Sequence, residues 1–251
     1  MAAPLHWQVF LASAAGSHHL ESAAPCQDAG HYLVAGTTLV GVVCDGAGSA
    51  SHGREGADFV ARSIAQWLHE TAADALAAPV ASQTIAAVLE RARGQLEALA
   101  LAGARSLRDY ACTVVGCLAT AGNAFFFHLG DGYAVYRDAS GACTVSPPEN
   151  GEFADQTYFL SEAGWMQHLR VTILPVPQRG CLIGLMSDGT APFAINRRRD
   201  GFFAPFIDPV VNYLRTAAPD EGARALLGVL ADEKTFAITA DDKTLLLALA
   251  A

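Results

Sequence analysis

The chain has 251 residues, 52% of them hydrophobic and 16% charged, with a formal net charge of -9. That balance supports a sizeable core and argues against disorder over most of the length. The acidic surplus argues against a nucleic-acid binder, which needs Lys and Arg to replace phosphate counterions, and no apolar segment approaches the roughly 18 residues of a membrane-spanning helix.

Cysteines 26, 44, 112, 117, 143 and 181 form no CxxC pair and no zinc-type spacing with histidine, so they read as small core residues of a reducing compartment. The N-terminal stretch lacks a basic region and is interrupted by His6 and Gln8. The expectation is a cytoplasmic protein with no membrane association, folded as one domain over residues 1–251. Arg197 to Arg199, the one basic cluster, is expected in a solvated loop.

His6 to Ser13 predicts a first strand, followed by a polar, small-residue connection from Ala14 to Gln27. PCQDAGHYLVAG places Asp28 just ahead of a second strand, and Gly36, Thr37 and Thr38 turn the chain into a third. That third strand, LVGVVCDGAG, ends on Asp45 and on two glycines around an alanine. Strands that follow one another without a helix predict antiparallel pairing.

Val60, Ile64, Trp67 and Leu68 then recur at helical spacing, and after Pro79 a stripe of Ile85, Val88, Leu89, Leu96 and Leu99 predicts a second helix packed beside the first on a sheet. Tyr110 to Arg137 predicts a β-meander with turns at Ala121 to Asn123 and Gly130 to Gly132, and Phe125 to Phe127 are assigned to the core. Ser146 to Trp165 is irregular and polar, and is expected to be a mobile loop near the site. Strands resume at Leu169 to Leu174 and Cys181 to Met186. Two helices follow, one carrying Phe206, Val210, Val211 and Leu214, the other Leu226, Leu227 and Leu230 after a cap at Asp220, before a last strand from Thr244 to Leu249. Strand runs interrupted by helix pairs predict an α+β layered sandwich.

Three apolar strands carry acids at one end: Asp45, Asp188 in CLIGLMSDG, and Asp241 in TADDKTLLLAL. One strand-end Asp usually caps a turn. Three suggest one oxygen-ligand site for hard ions such as Mg²⁺ or Mn²⁺. Two such ions about 3.5–4 Å apart would acidify a bridging water for in-line attack on phosphorus. A phosphate-cradling glycine loop would need glycine at Ser51, and no GxSxG nucleophile elbow is present.

CQDA, CDGAG, the GDG of HLGDGYAVY, MSDGT and DDKTLLLA occur in the order and at the separations of the metal-dependent protein phosphatase 2C (PPM) family, which the chain resembles from Gly16 to Leu249. ENGEFADQTYFL, with PCQD and DDKTLL, is similar to a divergent bacterial branch often found beside a kinase and a von Willebrand-type protein. The resemblance implies a four-layer αββα sandwich of two antiparallel sheets flanked by antiparallel helix pairs. It implies phosphoserine and phosphothreonine proteins as substrates, with a cognate serine/threonine kinase and a von Willebrand-type protein as partners. It also implies that Asp45 bridges two Mn²⁺ or Mg²⁺ ions, that the Gly46 carbonyl binds one, that Asp188 and Asp241 ligate the second, and that Asp28 orients the attacking water. Asp109 would serve a third, weaker ion.

The departures from the family pattern are Ala23 for a phosphate-holding Arg, Ala47 for a His, Gln27 for a Glu, Gly132 and Tyr133 for the Ser and Arg of GDSR, and Asp242 for an Asn. They raise the alternative of a weakly active or inactive regulatory module that binds phosphopeptides. His19 and His52 flank the first two acidic motifs and are candidates to bind phosphate or protonate a leaving group. Arg54 is read as a surface helix residue, with reach to the phosphate from the helix start as the alternative, and Asp131 as a turn residue.

Overall fold

The structure, a computed structural model, describes residues 5–72, 78–149 and 157–251. Strand β1 (Trp7–Ala14) leads through a short helix α1 (Ser17–Ser22) to the hairpin of β2 (Ala29–Ala35) and β3 (Thr38–Cys44). Helices α2 (Gly53–Ala72) and α3 (Ala78–Ala102) and a 3₁₀ turn (Leu107–Tyr110) precede β4 (Val114–Ala119), β5 (Ala124–Leu129), β6 (Tyr133–Arg137) and β7 (Cys143–Ser146). The chain continues through α4 (Trp165–His168), β8 (Arg170–Leu174), β9 (Leu182–Met186), α5 (Ala191–Ala194), α6 (Ala204–Leu214), α7 (Pro219–Leu230) and α8 (Glu233–Phe236), and ends on β10 (Lys243–Ala250).

The strands form two antiparallel sheets, ordered β1-β10-β9-β6-β7 and β2-β3-β4-β5-β8. The continuous apolar runs of β3, β4, β5, β9 and β10 follow from burial on both faces, whereas the edge strands β2, β7 and β8 are partly exposed. In β10, Leu245, Leu247 and Leu249 face α6 and α7, meeting Ile207, Val211, Leu214, Leu226 and Leu230, whereas Leu246 and Ala248 face the other sheet. In β5, Phe125 and Phe127 face Ile64, Leu68, Ile85 and Leu89 of α2 and α3, and Phe126 points between the sheets. The period of two thus sorts each strand between an inter-sheet core and a helix-covered core, and the layers are helices, sheet, sheet and helices. Gly116 leaves room for one of these rings: a methyl group there would sit 2.0 Å from Phe127. Gly116→Ala is expected to lower stability by about 1–3 kcal/mol through overpacking, read as a lower denaturant midpoint.

Pairing register brings the acids together. Ala29 faces Cys44 across β2 and β3, so Asp28 and Asp45 lie side by side at one end of that sheet. In the other sheet Met186 of β9 lies between Leu245 of β10 and Tyr133 of β6, so Asp188, Asp241 and Asp131 gather at the matching end.

Several sequence expectations are corrected. Tyr110 to Arg137 is not one meander: β4 and β5 pair, but β6 joins the other sheet, and the Gly130-Asp131-Gly132 turn is the crossing. Gly130 adopts φ +110°, and a Cβ at Gly132 would lie 2.6 Å from the Met186 carbonyl, so the crossing requires both glycines. The connection from Ala14 to Gln27 contains α1, and β7 lies beyond the expected strands. Leu99 and Leu227 point outward, 44% and 42% exposed, because the apolar stripes on α3 and α7 are narrower than the leucines suggested. Helix α7 starts at Pro219 with Ala218 as N-cap, which puts Asp220 inside the first turn. Of the loop from Ser146 to Trp165, residues 150–156 lie outside the described residues.

Candidate metal centre

Asp45 leaves the end of β3 with its backbone clamped on both sides. Its N–H donates to the Thr113 hydroxyl (3.0 Å), and its carbonyl accepts from the Thr113 N–H (2.9 Å). The next residue must be glycine, because a Cβ on Gly46 would meet the Gly53 backbone at 2.5 Å and the Gln27 carbonyl at 2.8 Å. With its amide oriented to satisfy both ends, Gln27 donates to the carbonyls of Gly46 (3.0 Å) and Ala47 (3.2 Å). The Gly46 carbonyl keeps a second lone pair.

Carboxylate oxygens of Asp45, Asp131 and Asp188 all lie within 4.8 Å of one another. Burial, then the charges of Asp28, Asp188 and Asp131, push the Asp45 carboxyl well above the usual range. Burial and the charge of Asp131 push Asp188 up to about 6. Asp131 is fixed by the Thr157 hydroxyl (2.5 Å) at one oxygen, and the other oxygen is buried without a hydrogen bond among the described residues. Reading Asp131 as a turn residue missed this position. The signal was present, since the apolar run AFFFHL also ends on an acid followed by glycine.

Asp28 is fully buried; one oxygen accepts from the Ser187 hydroxyl (2.6 Å) and the other has no partner among the described residues. Burial, reinforced by the charge of Asp242, raises its pKa to about 7. Arg54 caps this segment from α2 by donating to the carbonyls of Cys26 and Asp28, a brace that holds it away from a phosphate-binding role.

Asp241 is exposed, lines the cavity over the cluster, and raises the Asp188 carboxyl through its charge. Its neighbour Asp242 is the buried organiser. Its carboxylate accepts from the N–H groups of Gly16 (2.7 Å) and Gln27 (2.5 Å) and holds His19 Nδ1 at 2.8 Å. An Asn there has only one acceptor oxygen, so aspartate suits this three-way junction. His19 also lines the cavity, about 350 Å³ in volume.

Two candidates are not brought in. Asp109 bonds the N–H (2.8 Å) and hydroxyl (3.0 Å) of Ser106 as a capping box on the 3₁₀ turn, which holds its carboxyl below the usual range. His52 pairs with Glu55 (2.6 Å) and stacks on Tyr110 at 5.1 Å. Neither lines the cavity; the fully buried Asp28 does not line it either, but its charge acts on Asp45 and it feels that of Asp188.

Clustered carboxylates with raised pKa values, and an orphaned buried oxygen on Asp131, are what an oxygen-coordinated divalent cation would relieve, so the residues present fit such an ion. A testable pH dependence follows. The folded chain holds protons that the unfolded chain releases near 3.8, so the native state binds more protons and stability falls as pH rises through about 6 and 7. Metal-free protein is expected to melt at a lower temperature at about pH 8 than at about pH 6, the carboxylates costing on the order of 3 kcal/mol once ionised. Mn²⁺ is expected to restore the loss at the higher pH. Melting curves in chelator and in Mn²⁺ check both.

A sequence profile described as Protein phosphatase 2C matches residues 15–231. The chain is 28% identical to serine/threonine-protein phosphatase 3 of Escherichia coli (strain K12) over 256 aligned positions, which cover 98% of this chain and 99% of that one. The structure of the S. agalactiae serine/threonine phosphatase matches with a TM-score of 0.67 at 12% identity, covering 97% of this chain and 99% of the other. RsbX, crystallised in complex with magnesium, matches with a TM-score of 0.59 at 15% identity, covering 98% and 96%. With the profile matched over most of its length and the two-sheet fold shared with these phosphatases, the chain belongs to the protein phosphatase 2C family.

Proposed function

We propose that this serine/threonine phosphatase hydrolyses phosphoserine and phosphothreonine monoesters of proteins, using two Mn²⁺ or Mg²⁺ ions held around Asp45. The observation that carries this reading is the convergence of the Asp45, Asp131 and Asp188 carboxylates within 4.8 Å on the wall of one cavity. Asp45 would hold both ions, with the Gly46 carbonyl serving one and Asp188 and Asp241 the other. Asp131 would serve a third, because Asp109 is committed to Ser106. When bound, the ions supply Lewis acidity that acidifies water and neutralises phosphate charge.

The chain's own groups handle water and leaving group. The unpartnered oxygen of Asp28 accepts a hydrogen bond from the attacking water and orients it. As the new P–O bond forms, the ester P–O bond breaks, and the seryl or threonyl oxygen leaves needing a proton. His19 Nε2 supplies it, with the ring oriented through Nδ1 by Asp242. His19→Gln is therefore expected to lower turnover of a phosphothreonine peptide about a hundredfold. It should lower turnover of an aryl phosphate much less, because a phenolate leaves without protonation. Equal losses on both substrates would remove His19 from the acid role.

The reading as a whole is tested by hydrolysis of the same peptide with Mn²⁺ and with chelator. Turnover that survives chelation would overturn it. The partner proposal, a serine/threonine kinase that phosphorylates the substrate and a von Willebrand-type protein, rests on the bacterial-branch motifs. Dephosphorylation of an autophosphorylated kinase encoded beside this chain would be its direct test.

A further inference from the structure

The cluster cavity does not end at the acids. Asp131 and Asp188 also line a second cavity, about 530 Å³, together with Pro192 of α5 and Asn196, Arg197 and Arg199 of the turn after it. Ser49 and Phe159 line both the cluster cavity and a third, about 860 Å³. The three cavities adjoin through these shared residues as a trench, in which the carboxylates lie between the first and the second.

The arginine turn is built. Ile195 pairs with Phe202, the Asn196 N–H donates to the Gly201 carbonyl (3.0 Å), and the Arg199 N–H donates to the Asn196 carbonyl (2.9 Å). The Asn196 amide also holds Asp200 (2.8 Å), taking that carboxylate as a hydrogen-bond partner. Arg199 adopts φ +58°, a left-handed conformation that is uncommon for a side-chain-bearing residue. Arg197 and Arg199 are exposed, and their guanidinium groups have no hydrogen-bond or ion-pair partner among the described residues. In a chain of net charge -9, the one run of three basic residues thus borders the trench beside its most acidic point.

We infer that Arg197 and Arg199 select phosphoprotein substrates carrying acidic side chains next to the phosphorylated residue, by pairing with those carboxylates in the arm of the trench beyond Asp131 and Asp188. The inference rests on the phosphatase reading, and it names the substrate class for that site. Arginine forks match carboxylates, and exposed ion pairs of this kind are screened by salt.

The test combines Arg197→Gln with Arg199→Asn, since asparagine tolerates the left-handed backbone. Three substrates are compared: a phosphothreonine peptide flanked by glutamates, the same peptide flanked by glutamines, and an aryl phosphate. Binding of phosphonate analogues of both peptides is measured by fluorescence anisotropy. The double variant is expected to lose about fivefold in kcat/KM and in affinity for the acidic peptide alone, as two exposed ion pairs of ordinary strength would supply, with the difference shrinking at high salt. Unchanged discrimination between the peptides would overturn the inference. So would an equal loss on all three substrates, which would place the arginines on the reacting phosphate. If the unmodified protein turns over none of them, the phosphatase reading fails, and the anisotropy comparison still decides whether the arginines recognise acidic flanks.

Discussion

Replacing Asp45 with Asn is expected to cut Mn²⁺-stimulated hydrolysis of a phosphothreonine peptide about a thousandfold or more, on the order of 4 kcal/mol in the barrier. The amide keeps the size of the side chain but removes the central anion of the Asp45, Asp131 and Asp188 cluster. The same change is expected to raise the stability of the metal-free protein at about pH 8, because it relieves like-charge repulsion among carboxylates already pushed above their ordinary range. Opposite signs for activity and stability are the mark of a side chain kept for chemistry rather than folding. Melting curves in chelator, run beside the turnover assay, read both. A variant that loses activity and stability together would point to a structural role for Asp45.

Asp242→Ala carries the largest expected loss of stability, about 3–5 kcal/mol. Three interactions converge on that carboxylate, from Gly16, Gln27 and His19. Alanine would leave the two N–H groups unsatisfied and free the His19 ring. It would also remove a favourable charge from Lys243, which is buried with its ammonium over the Phe236 ring at 3.9 Å. Asp242→Asn retains one acceptor and is expected to cost roughly half as much. Chemical denaturation of both variants checks the ranking; a loss no larger for alanine than for asparagine would show that the carboxylate is not the junction.

Much of this architecture is legible in the sequence, for a physical reason. A strand buried on both faces must be continuously apolar, so LVGVVC, AFFFHL and TLLLAL mark the sheets, and an acid at the end of such a run marks the rim. Asp45, Asp188 and Asp241 are singled out that way and Asp28 by the family resemblance, and the structure brings all four to the same end of the sandwich. Which sheet a strand joins is less legible, because it depends on a crossing rather than on a pattern. That is why the GDG turn read as a hairpin and Asp131 was assigned to a turn. Asp109 and His52 show the converse error: spacing along the chain put them near the motifs, but local partners, Ser106 and Glu55, hold both side chains. The role of Asp242 was hidden because its three partners are far away in sequence or lie in a helix that the polar stretch did not announce.

The most direct measurement is an anomalous difference map from crystals soaked in Mn²⁺. Two peaks bridged by the Asp45 carboxylate, with Asp188 and Asp241 on one of them and the Gly46 carbonyl on the other, are the predicted result. No peak at Asp45, or a single ion held without Asp188 and Asp241, would contradict the metal-dependent mechanism at its centre.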